Sequence, residues 1–195
     1  MADENTTDIN CQFPQLDSII RFIKKKIGCR ISDFNNKENN MSVSKPEVVA
    51  LDGFAVVGLQ IRTKNADEFN PQTAKLHQLW EQFFKTQIPN RKPTSPIYGV
   101  YSDYASDFND FYTVTASVEV GSEHELGNQF KQISVQQGDY LVFKNSGPIP
   151  QAIYETWMAI WDYFKANPTV IRAYKTDFEV CAVPEQCEIY IGIKK

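Results

Sequence analysis

Apolar positions recur at helical spacing in three stretches of the chain. In residues 71–85, Leu76, Leu79, Trp80, Phe83 and Phe84 form an i, i+3, i+4, i+7, i+8 stripe. Asn70 and Pro71 stand before it as a predicted cap and first helical residue. In residues 150–166, Ile153, Trp157, Ile160, Trp161 and Phe164 form a second stripe. A third, Leu16, Ile19, Ile20, Ile23 and Ile27, predicts a helix over 14–28 that Gly28 ends. Between these lie period-two runs. EVVALDGFAVVGLQIRT, with Gly53 and Gly58 marking a bend or bulge, reads as strand. So do 97–104, 112–120, the segment QFKQISVQQGDYLVFKNS, 171–181 and 187–194.

These elements come twice in the same order. PQTAKLHQLWEQFFK (71–85) corresponds to PQAIYETWMAIWDYFK (150–165). IYGVYSDY (97–104) corresponds to IRAYKTDF (171–178), and the alternating runs TVTASVEV and CEIYIGI follow. A fixed-order repeat of this kind is a duplicated supersecondary unit. The expectation is an α+β fold of two β-α-β-β units, eight strands and two long helices. The copies face each other across a pseudo-two-fold axis, with a cleft at the seam where a ligand fits. The division runs near residue 45. Residues 1–45 form an extension with one amphipathic helix and an Asn/Ser/Lys-rich linker, and 46–195 form the body, with unit one about 46–121 and unit two about 128–195.

Charge and cysteine content exclude several classes. Net charge is −4, so the chain lacks the basic footprint of a nucleic-acid binder. The lone helix at 14–28 lacks companions for a helix-turn-helix, so no specific DNA binding by this chain alone is expected. That helix exposes five aliphatic residues, which predicts docking on the body or on a second protomer of a homodimer. The acidic, polar start is not a secretory signal, and no apolar run reaches membrane-spanning length, so a cytoplasmic, non-membrane protein is expected. Cys11, Cys29, Cys181 and Cys187 have neither disulfide-scaffold density nor metal-site spacing. His77 and His124 are far apart, and phosphate-loop, HExxH and G-x-S-x-G patterns are absent. No catalytic set, metal or cofactor is expected.

What stands out is acid among aromatics. In the last strand Ile189, Ile191 and Ile193 should face the helices, which turns Glu188, Tyr190 and Gly192 to the other side. Those residues line a pocket if that side is the seam. Glu179 has Lys175 and Asp177 as same-face neighbours, and parity alone places it toward solvent. Strand tyrosines need partners for their hydroxyls, which makes Tyr98, Tyr101, Tyr112, Tyr140 and Tyr190 better pocket candidates than Trp80 and Trp161 on the core stripes. An aromatic cleft holding one desolvated carboxylate favours a lipophilic cation. Each ring contributes about 0.5–2 kcal/mol of cation–π attraction, and the cation relieves the carboxylate's desolvation.

The segments ALDGFAVVGLQIRT, PIYGVYSDY, ETWMAIWDYF and TDFEVC with EIYIGI resemble the GyrI-like effector-binding domain. That domain is the ligand-sensing module of AraC-type and MerR-type multidrug regulators and of stand-alone proteins such as the DNA gyrase inhibitor. The resemblance implies two β-α-β-β units around a central cleft. It also implies a ligand-contacting glutamate in the Phe-Glu strand, here Phe178-Glu179, with Tyr190 matching the tyrosine of the last strand. A strand bulge would reconcile a buried Glu179 with the parity count. The candidate ligand-binding set is Glu179, Tyr190, Glu188, Tyr98, Tyr112, Tyr140 and Trp157. The expected function is a stand-alone protein binding small aromatic, cationic ligands, as a sensor or for drug sequestration. Two alternatives from the same resemblance are a hydrolase of strained-ring DNA-alkylating compounds and a gyrase-inhibitor-like interaction protein.

Overall fold

The computed structural model describes residues 43–195 except 69, 122–126, 148, 150 and 183–185. The predicted helix at 14–28 and His124 lie outside the described residues. Eight strands form one antiparallel sheet: β1 (Glu47–Leu51), β2 (Phe54–Thr63), β3 (Ile97–Ser102), β4 (Tyr112–Val118), β5 (Lys131–Val135), β6 (Gly138–Ser146), β7 (Arg172–Ala182) and β8 (Gln186–Ile193). Three helices accompany them among the described residues: the single-turn α1 (Asn65–Glu68), α2 (Leu76–Lys85) and α3 (Gln151–Ala166).

The strand order is β1-β6-β8-β7-β3-β4-β2-β5. Read outward from the central β3–β7 pair, unit one gives 3-4-2 and unit two gives 7-8-6. The outermost strands are exchanged: β5 of unit two closes the edge beside β2, and β1 of unit one closes the edge beside β6. The duplication is therefore visible in the topology, and the exchange ties the two halves into one sheet.

Both long helices pack on the same face. Val114, Tyr101, Asp177 and Ile191 are direct cross-strand neighbours along β4, β3, β7 and β8, so they share a face. Val114 belongs to the cluster that holds Leu79 and Phe83 of α2. Ile191 belongs to the cluster that holds Ile160 of α3. Each apolar stripe thus covers its own half of the sheet, and a fully buried Leu, Ile or Phe there contributes about 1.5–3 kcal/mol. The β3–β7 seam runs between them. The opposite face carries a third cluster of Val56, Tyr98, Val100, Val135, Tyr140 and Phe178. There the sheet curls until the residue after β5 reaches β7, where Gln136 N–H donates to Thr176 Oγ1 at 3.0 Å.

The first helix does not begin at Asn70-Pro71. Pro71–Thr73 form a turn, in which Asn70 Oδ1 accepts the Gln72 N–H at 3.0 Å, and α2 starts at Leu76. The cap comes from elsewhere. The buried Glu68 carboxylate accepts the N–H groups of Lys75 and Leu76, each at 3.1 Å, and the Thr63 hydroxyl. A carboxylate at a helix N-terminus satisfies unpaired donors and complements the dipole. Gly58 answers a packing need, because a Cβ there would lie 1.9 Å from the carbonyl oxygen of Ala116 on β4.

Candidate functional site

On the helix face the seam presents two rows of residues. One row is Ala116, Gly99, Glu179 and Ile189; the next is Val114, Tyr101, Asp177 and Ile191. Glu179 is 4% exposed. Its Oε2 accepts two hydrogen bonds, from the Tyr101 hydroxyl and from the Trp157 indole N–H of α3, each at 3.2 Å. Tyr101 and Trp157 meet edge to face at 5.2 Å. Both are half-buried, and together they cover the carboxylate. Tyr112 stands 5.9 Å from Tyr101, and Tyr104 stands 5.7 Å from Tyr112, so the aromatic wall continues along the seam. Tyr112 is fixed by its hydroxyl, which donates to Asn65 Oδ1 at 2.6 Å.

Burial pushes the Glu179 carboxyl up to about 7, although the Trp157 and Tyr101 hydrogen bonds pull it down. Among the described residues, no lysine or arginine pairs with it and no donor reaches Oε1. The same burial, and next the charge of Glu179, pushes the Tyr101 hydroxyl well above its ordinary value.

Asp177, two residues earlier on β7, is also fully buried, yet every need of its carboxylate is met. Arg172 pairs with Oδ2 at 2.5 Å and Tyr104 donates to it at 2.7 Å, while the Gly192 N–H donates to Oδ1 at 2.8 Å. Arg172 is itself buried, with its guanidinium 4.8 Å from the Tyr174 ring. The strand is irregular between Arg172 and Asp177, and Tyr174 has φ 51°. Beyond this bulge the ladder is regular, so Asp177 and Glu179 share the helix face.

Residues 47–193 match the family described as Cass2, integron-associated effector binding protein. The chain belongs to the Cass2 family. A Vibrio cholerae integron cassette protein, VCH_CASS2, is 35% identical; the match covers 80% of this chain and all of that one, with a TM-score of 0.73. The YobU protein of Bacillus subtilis (strain 168), which bears the name of a transcriptional regulator, is 31% identical over 158 residues, 76% of this chain and 97% of that one. The fold is shared more widely. SAV2435, solved bound to tetraphenylphosphonium, is 14% identical, with a TM-score of 0.61 over 77% of this chain and 94% of that one.

The sheet divides the candidate residues between its two faces. Glu179, Trp157 and Tyr112 lie together at the seam between the helices. Tyr98, Tyr140, Glu188 and Tyr190 lie on the opposite face. There Tyr190 stacks on Phe178 at 4.4 Å, and its hydroxyl donates to Glu188, which Lys144 approaches at 3.5 Å. Tyr98 has the same arrangement, donating at 2.8 Å to Glu119, which pairs with Lys92 at 2.9 Å. Those contacts hold Glu119 below the usual carboxylate range, Lys92 first and Tyr98 second. Tyr140 lines a groove of about 670 Å³ with Leu51, Gln136, Thr176 and Gly192, and its hydroxyl donates to the Gln136 carbonyl at 2.6 Å. The acids near Tyr98 and Tyr190 thus already have lysine partners.

Sequence reasoning left Tyr104, Asp177 and Arg172 out of the candidate set and did not carry Tyr101 into it. Tyr101 had a usable signal, since it shares strand parity with Gly99, opposite Glu179. The parity expectation that Glu179 faces solvent fails because Asp177, its same-face neighbour, is itself buried against Arg172. No described helix is long and apolar enough to cross a membrane.

Proposed function

We propose that this protein binds lipophilic aromatic cations at the seam between its repeats, with Glu179 as the counter-ion. One observation carries the reading. Of two buried carboxylates on β7, Asp177 has its arginine and Glu179 has no cation among the described residues. A buried charge without a partner costs several kcal/mol, and a bound cation offsets that cost. Tyr101, Tyr104, Tyr112 and Trp157 supply the aromatic walls, and their π faces favour positive charge. The tetraphenylphosphonium held by SAV2435 on the same fold is consistent with this class of ligand. The biological role that follows is sensing or sequestration of such compounds.

Isothermal titration calorimetry at pH 8 tests it. The wild type and a Glu179→Gln variant are titrated with tetraphenylphosphonium and with neutral triphenylphosphine oxide. The expected result is binding of the cation, weaker binding of the neutral compound, and loss of that preference in Glu179→Gln. Equal affinities for the two compounds in the wild type contradict the proposal.

A further inference from the structure

We infer that the preferred ligand of the Glu179 site donates a hydrogen bond from its charged nitrogen, so that protonated aromatic amines bind better than quaternary onium ions of the same shape. This rests on the cation-binding reading above and adds the chemical form of the charge.

The two oxygens of Glu179 are not equivalent. Oε2 already accepts from Tyr101 and from Trp157. Oε1 accepts nothing among the described residues. It lies over Gly99, where a Cβ would stand only 2.7 Å away. Gly99 sets no side chain against Oε1, and its β4 neighbour Ala116 carries only a methyl group. A ligand N–H can add a bond on Oε1 while Tyr101 and Trp157 keep theirs to Oε2. Hydrogen bonds between ionised partners are about twice as strong as neutral ones. A site with an unmet acceptor on a carboxylate only 4% exposed discriminates against an analogue that lacks the matching donor. A quaternary centre brings its charge but no proton, so Oε1 stays unsatisfied in its complex. Asp177 offers no rival acceptor, because both its oxygens are occupied.

Acridine orange, protonated at its ring nitrogen, and its 10-methyl derivative provide the probe pair. They share one ring system and one positive charge, and differ in N–H against N–CH₃. Titrations at pH 8 monitor dye fluorescence with the wild type and with Glu179→Met, which keeps side-chain length and removes the acceptor. The expected result is at least tenfold tighter binding of acridine orange to the wild type, shrinking below threefold in Glu179→Met. Equal or tighter binding of the 10-methyl dye overturns this inference and leaves cation binding standing. A preference that persists in Glu179→Met traces it to methyl bulk and also overturns it. If neither dye binds, the cation-binding reading fails and this inference falls with it.

Discussion

Gly99 lies directly across the β3–β7 ladder from Glu179, and the missing side chain there is what allows the carboxylate to lie over the neighbouring strand. A Cβ on Gly99 would stand 2.7 Å from Oε1 and 2.9 Å from Cγ of Glu179. Gly99→Ala therefore forces Glu179 to move and strains its bonds to Tyr101 and Trp157. We expect Gly99→Ala to cost about 1–3 kcal/mol of stability and to weaken cation binding at least tenfold. The stability loss should be much smaller in a Glu179→Ala background, since the two residues are in contact. Denaturant melts of the four proteins check this, and additive losses would contradict it.

Stability should depend on pH through Glu179. Its carboxyl sits at about 7 in the folded protein, above the ordinary value of 4.5. Between those values the folded state holds a proton that the unfolded chain has lost. Its contribution is thus fully present below about pH 4.5 and is lost as pH rises through about 7. Relative to Glu179→Gln, the wild type should lose on the order of 3 kcal/mol between pH 4.5 and pH 8. Urea melts of both proteins across that range measure the difference. A constant gap between them would show that Glu179 is not desolvated.

Trp157 stabilises the charged form of Glu179 by donating its indole N–H. Trp157→Phe keeps an aromatic ring and removes the donor. The Glu179 midpoint should move upward, and affinity for a fixed-charge cation at pH 7 should fall by roughly threefold to tenfold. Most of that affinity should return at pH 9. A loss of the same size at both pH values would assign Trp157 to packing alone.

The folded body is expected to stand without residues 1–40. Val43 packs against the cluster under α3, and Ser44 exchanges hydrogen bonds with Lys144, its N–H reaching the carbonyl at 2.9 Å. A chain beginning at Met41 keeps these contacts and should melt cooperatively, with cation affinity within tenfold of the full chain. Failure to fold, or a larger loss, would make the extension part of the site.

Much of this architecture is legible in the sequence because burial imposes periodicity. The stripes of α2 and α3 follow from Leu79, Phe83 and Ile160 packing on the sheet, and the alternation of β8 sends Ile189 and Ile191 beneath α3. The exchange of β1 and β5 is not legible, because each edge strand pairs across the repeat boundary through backbone hydrogen bonds that carry no side-chain signature. The site was half legible. Tyrosine hydroxyls need partners on either face, so composition could not separate Tyr101 and Tyr112 from Tyr98 and Tyr190. Glu179 emerged from resemblance and not from parity, since the Arg172–Asp177 pair forms within an irregular strand segment that no simple period describes.

Cation binding is expected to follow the ionisation of Glu179, which has no lysine or arginine partner among the described residues. The pH dependence of affinity for a fixed-charge aromatic cation, 10-methyl acridine orange, measured from pH 5 to 9, tests it most directly. The ligand cannot titrate, so the profile reports the protein. The expected affinity rises up to about tenfold per pH unit below the midpoint, levels off above a midpoint near 7, and is weak and flat in Glu179→Gln. Affinity that is independent of pH in the wild type, or a profile unchanged by Glu179→Gln, would contradict it.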